Sequence, residues 1–351
     1  MSRRRDTTTL ALASLASGGL AYVVFAVATR ALGPGGAAPV SVLWTWWSLS
    51  AAAITFPVQH WLTRTVTAHR GFRAARPALV PLGAITTVAA AATGGSAWLL
   101  RESLFHRDGV GFPLLVAALT VSSAVIGVVR GGLGARERFG ALAVTMLAEN
   151  GARCAGVVAL WAAGVEDPVA YGAVIVAAHL TGLCWPVALT FPPTGRALDG
   201  GRRAALALLS GASGGQLLAQ VVLTGGPVAL ALLGGLPAEV TALFVGLAVY
   251  RAPYIVAMGV VPQLTQRVTL LVVEGRVREL ARLRQALAGA TVVLAISAIG
   301  VGLWVGPPLV RWVFGDEVDL PATTSALLAV GGVLAVANLI GSILVIAHDR
   351  S

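Results

Sequence analysis

Residues 111–160 read GFPLLVAALTVSSAVIGVVR, GGLGARERFG and ALAVTMLAENGARCAGVVAL, which are two apolar segments joined by a short basic connection. Each apolar segment has about the ~20 residues that an α-helix needs to cross a hydrocarbon core ~30 Å thick. The connection carries Arg130, Arg136 and Arg138. Because positively charged loops stay in the cytoplasm, this stretch predicts two transmembrane helices with a cytoplasmic turn between them.

The same pattern fills the whole chain of 351 residues. Hydrophobic residues make up 57% of it, charged residues only 11%, and the mean hydropathy is +0.83. Such a composition excludes a soluble domain of this size. We therefore predict an all-α fold, a polytopic membrane helix bundle with about ten transmembrane helices. The predicted spans are residues 8–29, 37–58, 79–100, 111–130, 140–163, 169–191, 204–234, 239–262, 285–306 and 322–346.

The distribution of arginine predicts the orientation. All 25 basic residues are arginines, and they concentrate before the first span and in the connections that follow even-numbered spans. By the positive-inside rule both termini lie in the cytoplasm, so we expect a multi-pass protein of the cytoplasmic (inner or plasma) membrane. The net charge of +10 is then explained by arginines that face anionic headgroups, and it predicts no nucleic-acid partner.

A weak internal repeat predicts two bundles. A shift of 203 residues places Pro34 on Pro237 and Arg64 on Arg267. Six spans separate the two copies, so both run in the same direction, as in transporters built from parallel repeats. We predict a six-helix N-terminal bundle over residues 1–203. Residues 204–351 then form a C-terminal bundle of four helices. Because the first bundle has six, the repeat predicts that this second bundle is incomplete by two helices.

Ionisable residues inside spans are the sharpest local signal, because each costs roughly 2.5–3.5 kcal/mol on insertion scales. Glu149, Asn150 and Arg153 share one face of the fifth span. One interpretation places this face on a cavity, where Arg153 binds a diphosphate or an acidic sugar. The other is an ion pair that neutralises itself and holds the fifth span to its neighbours. Arg130 lies at a span end, where snorkelling to headgroups explains it.

Two further groups of polar residues are candidate substrate ligands. Tyr250, Arg251 and Tyr254 lie in the eighth span and suit a phosphate and a sugar, or a hydrogen-bonded packing contact. Gln216 and Gln220 are one turn apart in the seventh span, where they fit either glycan hydroxyls or contacts between helices. The sequence predicts no catalytic residue, no metal site and no cofactor.

Loose motifs at span ends resemble a known family. They are Arg30 to Pro34 after the first span, Arg136 to Gly140 after the fourth, and Tyr250 to Pro253 with Pro262 in the eighth. Together they resemble the polysaccharide-exporter, or lipid-linked oligosaccharide flippase, branch of the MATE-like (multidrug/oligosaccharidyl-lipid/polysaccharide) flippase superfamily. The resemblance covers essentially the whole chain. It implies two six-helix bundles around a central cavity that opens alternately to each face of the membrane.

The resemblance also implies the cargo, a polyprenyl-diphosphate-linked oligosaccharide or a related cell-envelope glycolipid. Expected partners are this glycan, membrane lipids, and a polysaccharide polymerase or glycosyltransferases of the same pathway. The chain departs from the family in its missing final spans. It also departs in having no acidic residue in the seventh span, so ion coupling at that position is not supported.

Two other classes of protein compete with a flippase. The first is a small-molecule exporter, either a multidrug antiporter of the same fold or a ten-span drug/metabolite transporter. The latter predicts an inverted five-span repeat, which the sequence does not show. The second is a membrane enzyme, which would need acidic metal-binding pairs or a catalytic histidine beside the membrane. The acidic clusters Glu166-Asp167 and Asp316-Glu317 are predicted outside the cell, and solvated loops explain them, so we predict no enzyme.

Overall fold

A computed structural model describes residues 2–196 and 220–348 of the chain. Over these ranges the chain is helical and contains no β-strand, which confirms the all-α prediction. Helices coincide with nine of the ten predicted spans. The seventh, 204–234, lies mostly outside the described residues.

Twelve α-helices are described, with shorter turns between them. The helices are α1 Ser2–Ser50, α2 Phe56–His69, α3 Arg76–Leu99, α4 Arg101–Phe105, α5 Gly111–Ala135, α6 Phe139–Ala162, α7 Pro168–Ala177, α8 Gly226–Leu232, α9 Pro237–Val273, α10 Val277–Trp304, α11 Gly306–Phe314 and α12 Ala322–His348. A π-helical turn, Ala51–Thr55, joins α1 to α2. Short 3-10 helices cover Phe72–Ala74, Ala178–Cys184 and Pro186–Leu189.

The chain forms two compact units, Met1–Thr241 and Ala242–Ser351. Unit 1 is built mainly from α1 to α7, and α6 packs along α1 while α5 packs against both α2 and α3. In unit 2, α10 packs along α12. The predicted boundary between residues 203 and 204 lies outside the described residues and stays a prediction.

The helices have the length and the surface of membrane spans. Five helical segments are long and apolar enough to cross a bilayer: Ala16–His69, Arg76–Leu99, Gly111–Ala135, Val277–Trp304 and Ala322–Gly341. Their outer faces expose large apolar side chains, such as Val80 and Leu99, each with 80% of its surface accessible. Water would not tolerate such continuous apolar faces, whereas lipid matches them. The chain is therefore a multi-pass membrane protein, and its predicted orientation stays a prediction.

The predicted connection between the first two spans is a kink inside α1. Gly33 has φ 67°, a left-handed conformation that ends the first half of the helix, and Pro34 begins the second half. In the other copy of the repeat, Gly234 has φ 85° shortly before Pro237, the first residue of α9. Each copy of the repeat thus has a glycine with positive φ shortly before the proline that begins the next helical segment.

The helix continues through Pro57 and past residue 58, the predicted end of the second span. The π-helical turn lies directly before this proline, and the Phe56 N–H donates to the Ala51 carbonyl, five residues back. This shift in hydrogen-bond register accommodates the missing N–H of proline, so α2 continues to His69. Likewise, α9 passes through Pro262 and continues to Val273.

At the end of unit 1 predicted to be cytoplasmic, backbone hydrogen bonds join two connections. The Arg73 N–H donates to the Thr194 carbonyl, and the Arg196 N–H donates to the His69 carbonyl, both over 2.9 Å. Arg136 donates to the Thr190 carbonyl over 2.6 Å. Partial burial, together with the charge of Arg138, lowers the pKa of Arg136. These contacts tie the ends of α2, α5 and the Pro186–Leu189 turn together.

Candidate functional site

A buried cluster of charged residues lies between α5, α6 and α7 in unit 1. Glu149 accepts from the Arg153 guanidinium over 2.5 Å on one oxygen and from the Arg130 guanidinium over 2.7 Å on the other. Glu149 is 1% exposed, Arg153 is 0% exposed and Arg130 is 8% exposed. Arg130 lies in α5, so its ion pair with Glu149 joins α5 to α6. The same carboxylate also pairs with Arg153 in its own helix.

Arg153 uses all three of its nitrogens on protein groups. Besides Glu149, its Nη1 donates to Asn150 Oδ1 over 2.9 Å, and its Nε donates to the Ile175 carbonyl over 3.2 Å. Its guanidinium lies 4.7 Å from the ring centre of Trp47, within the range of a cation–π contact. The hydrogen bond to the Ile175 carbonyl stabilises the end of α7. The last carbonyls of an α-helix need partners, and Arg153 supplies one as α7 gives way to a 3-10 helix at Ala178.

His179 lies in this 3-10 helix, and its surroundings fix its tautomer. Its Nε2 is 3.2 Å from Trp47 Nε1 and 3.2 Å from the Arg153 guanidinium, and both of these groups are only donors. Nε2 must therefore accept, so Nδ1 carries the proton and donates to Ser122 Oγ over 2.9 Å. Glu149 lies 3.4 Å from Nε2, and Arg153 already binds the same carboxylate oxygen. The geometry assigns a neutral imidazole, which links α1, α5, α6 and α7.

Spectra of protein labelled with nitrogen-15 on histidine test this assignment. We expect His179 to show the shift pattern of a neutral Nδ1–H imidazole at neutral pH, because a proton on Nε2 would meet two N–H donors. The chain has five histidines, so the signal that disappears in His179→Asn identifies the residue. An imidazolium or Nε2–H pattern for that signal would contradict the assignment.

The predicted face of Glu149, Asn150 and Arg153 points into protein in this conformation. Asn150 Nδ2 donates to Ser17 Oγ on α1 over 2.5 Å, so every member of the face contacts another part of unit 1. Arg153 is fully buried, and a direct contact with substrate stays a prediction. The prediction that Arg130 snorkels to headgroups was wrong, because Arg130 pairs with buried Glu149.

Neither His179 nor Trp47 is among the site residues predicted from the sequence. The histidine lies within the predicted sixth span, so the rule that selected Glu149 also applied to it. Trp47 lacked such a signal, because tryptophan is common in membrane spans and its indole N–H shows its role only once a partner is located.

Three of the remaining candidate residues lie in α9, within unit 2, and Gln220 lies shortly before α8. Tyr250 in α9 makes a 2.6 Å hydrogen bond between its hydroxyl and Ser325 Oγ in α12. Arg251 and Tyr254 are half-buried in α9. Gln220 donates to Thr224 Oγ1 over 3.2 Å, and Gln216 lies outside the described residues.

Unit 2 contains an open groove of about 460 Å³ between α9, α10 and α12. Its walls are mostly small or branched apolar side chains, and Tyr250, Thr291 and Ser297 contribute its few polar groups. The groove lies along α10 and α12, two of the helices with the composition of membrane spans. Within residues 2–196 and 220–348, no three His, Cys, Asp or Glu side chains come together as a metal site would require.

One solved structure resembles the chain over almost its full length. It is described as the inward-facing conformation of a multidrug resistance MATE family transporter of the MOP superfamily. The alignment covers 97% of this chain and 85% of that chain, with a TM-score of 0.61 and 14% sequence identity. The fold of the chain is therefore that of a MATE transporter. The sequence itself matches no family model and no curated protein.

Proposed function

We propose that this chain is a membrane transporter that moves a polyprenyl-diphosphate-linked oligosaccharide, or a related cell-envelope glycolipid, across the cytoplasmic membrane by alternating access. The MATE-transporter fold supports transport in general. The apolar groove of unit 2 is the observation that favours a lipid-linked substrate. Glycosyltransferases or a polysaccharide polymerase of the same pathway would supply or consume such a substrate.

The shape and chemistry of the groove suit a branched hydrocarbon chain. Its walls include Leu287, Leu294, Ala298, Gly332 and Val336, and the small side chains among them leave room for methyl branches. The groove is partly open, so a lipid tail could enter it from the bilayer while its headgroup stays outside the groove. Among the described residues that line it, the groove has no charged side chain for a drug cation.

A second candidate function is export of small amphipathic drugs. The resembling structure is described as a multidrug resistance transporter, and an apolar groove with few polar groups also accepts such molecules. The two candidates differ in what the purified protein retains and in which compounds it moves.

Native mass spectrometry of the detergent-purified protein, followed by lipid extraction, separates the candidates. We expect wild type to retain a polyprenyl-diphosphate species and Ala298→Phe to retain several-fold less, because the added ring fills the groove. Ile299→Phe is the matched control, since Ile299 is the next residue of α10, is 45% exposed and does not line the groove.

Retention of ordinary phospholipid alone, equal in all three proteins, would contradict the lipid-linked glycan. Uptake of a fluorescent amphipathic cation by proteoliposomes would then support the drug exporter.

A further inference from the structure

We propose that the charged cluster of unit 1 binds a small inorganic monoanion, such as chloride, at the Nε edge of Arg130. The inference is separate from the transported substrate. It rests on a count of charges and a count of hydrogen bonds within the cluster.

The charges of the cluster do not cancel. Arg130 and Arg153 bring two positive charges, Glu149 brings one negative charge, and His179 is neutral by its hydrogen bonds. The cluster therefore holds a net charge of +1 at membrane depth. An uncompensated charge in such a place is strongly unfavourable, which favours an anion as the fourth member.

The hydrogen bonds locate the position of that anion. Both oxygens of Glu149 are already bound, and Arg153 has a protein partner for each nitrogen. Arg130 donates one Nη2 bond to Glu149, while its buried Nε has no hydrogen-bond partner among the described residues. An N–H of a buried guanidinium without an acceptor is costly, so this edge is the place where an acceptor ion gains most.

Size and charge select a monoanion. One negative charge balances the cluster, whereas a diphosphate would bring at least two and reverse the imbalance. Arg130 is 8% exposed and is the most exposed charged member of the cluster, whereas its Nε is itself buried. An anion must therefore displace some of the packing around Arg130 to reach Nε, and a small ion displaces the least.

Thermal unfolding in detergent at constant ionic strength tests the site, with chloride replacing gluconate stepwise. Because a ligand that binds only the folded state stabilises it, we expect the melting temperature of wild type to rise with chloride and then saturate. Arg130→Gln should lose this response, since the remaining Glu149–Arg153 pair is already neutral. Arg138→Gln is the matched control, because Arg138 is an exposed arginine at the end of the connection between α5 and α6.

A bromide soak of wild-type crystals tests the position without any variant. We expect an anomalous peak within hydrogen-bond distance of Arg130 Nε. An equal chloride response in wild type and Arg130→Gln would overturn the proposal, as would a well-defined cluster with no such peak. A phosphate-bearing lipid that wild type retains and Arg130→Gln loses, without a chloride response, would show that a headgroup occupies the site and would overturn the inorganic anion.

Discussion

Glu149→Gln is expected to lower the free energy of unfolding by about 3–5 kcal/mol, the range for breaking a buried ion pair by removing one partner. The substitution keeps the size of the side chain and removes only its charge. It leaves Arg130 and Arg153 with two buried positive charges and no carboxylate between them. Unfolding in mild detergent, followed by tryptophan fluorescence, measures the effect.

A second substitution separates charge from packing. Glu149→Gln with Arg153→Met returns the net charge of the cluster to its wild-type value, so we expect the double variant to regain part of the lost stability. A double-mutant cycle gives the coupling between the two residues directly. Glu102→Gln is the control, because Glu102 belongs to an exposed pair with Arg101 at 3.5 Å, and such surface pairs contribute about 0–1 kcal/mol.

The contrast between these two glutamates is the decisive result. If Glu149→Gln and Glu102→Gln changed stability equally, the carboxylate of Glu149 would not be buried between two arginines. If the double variant were less stable than Glu149→Gln alone, the packing of Arg153 against Trp47 and Ile175 would outweigh its charge.

The helices of this fold could be predicted from the sequence because span length and hydropathy are local properties. The apolar run of 111–130, for example, predicts a helix without any knowledge of its neighbours, and α5 covers it. Helix ends were harder to predict. Pro57 is an ordinary stop signal, and only the π-helical turn before it, set by packing, lets the helix continue.

The candidate site could be predicted only as far as a single helix reaches. The spacing of Glu149 and Arg153 is visible in the sequence, and the structure shows the pair that this spacing allows. The contribution of Arg130 depends on how α5 packs against α6, over 19 residues of separation. That of His179 depends on where α7 changes to a 3-10 helix. Both contributions depend on tertiary packing, which a local sequence pattern does not show.

The structure also changes the expected consequence of substituting Arg153. One of the two interpretations of the sequence places Arg153 on a cavity and the other makes it a contact between helices; in the structure Arg153 joins α6 to α7 through the Ile175 carbonyl. Its loss leaves Arg130 and Glu149 as a neutral pair, so no buried charge is left unpaired, and the variant loses the contacts of Arg153 with Ile175, Asn150 and Trp47. A loss of transport in an Arg153 variant therefore needs a stability measurement beside it.

Gly132→Leu is expected to destabilise unit 1 by about 3 kcal/mol, the upper part of the range for overpacking a filled core. Gly132 lies in α5, where the helix approaches the Pro186–Leu189 turn so closely that even a Cβ atom would overlap the Ala188 carbonyl oxygen. The obstacle is backbone, so no rotamer change can relieve it, and α5 or the turn must move.

Gly140→Leu is the matched control, since a Cβ atom there meets nothing within 4 Å and the position is exposed near the start of α6. We expect it to change the melting temperature little, because surface substitutions usually stay within about 0.5 kcal/mol. Equal melting temperatures for the two variants would mean that α5 and the 186–189 turn are not in contact.

The turn follows the 3-10 helix that carries His179, and Gly132 follows Arg130 by two residues. A Gly132 variant that folds but loses the chloride response would therefore show that this contact sets the geometry of the charged cluster.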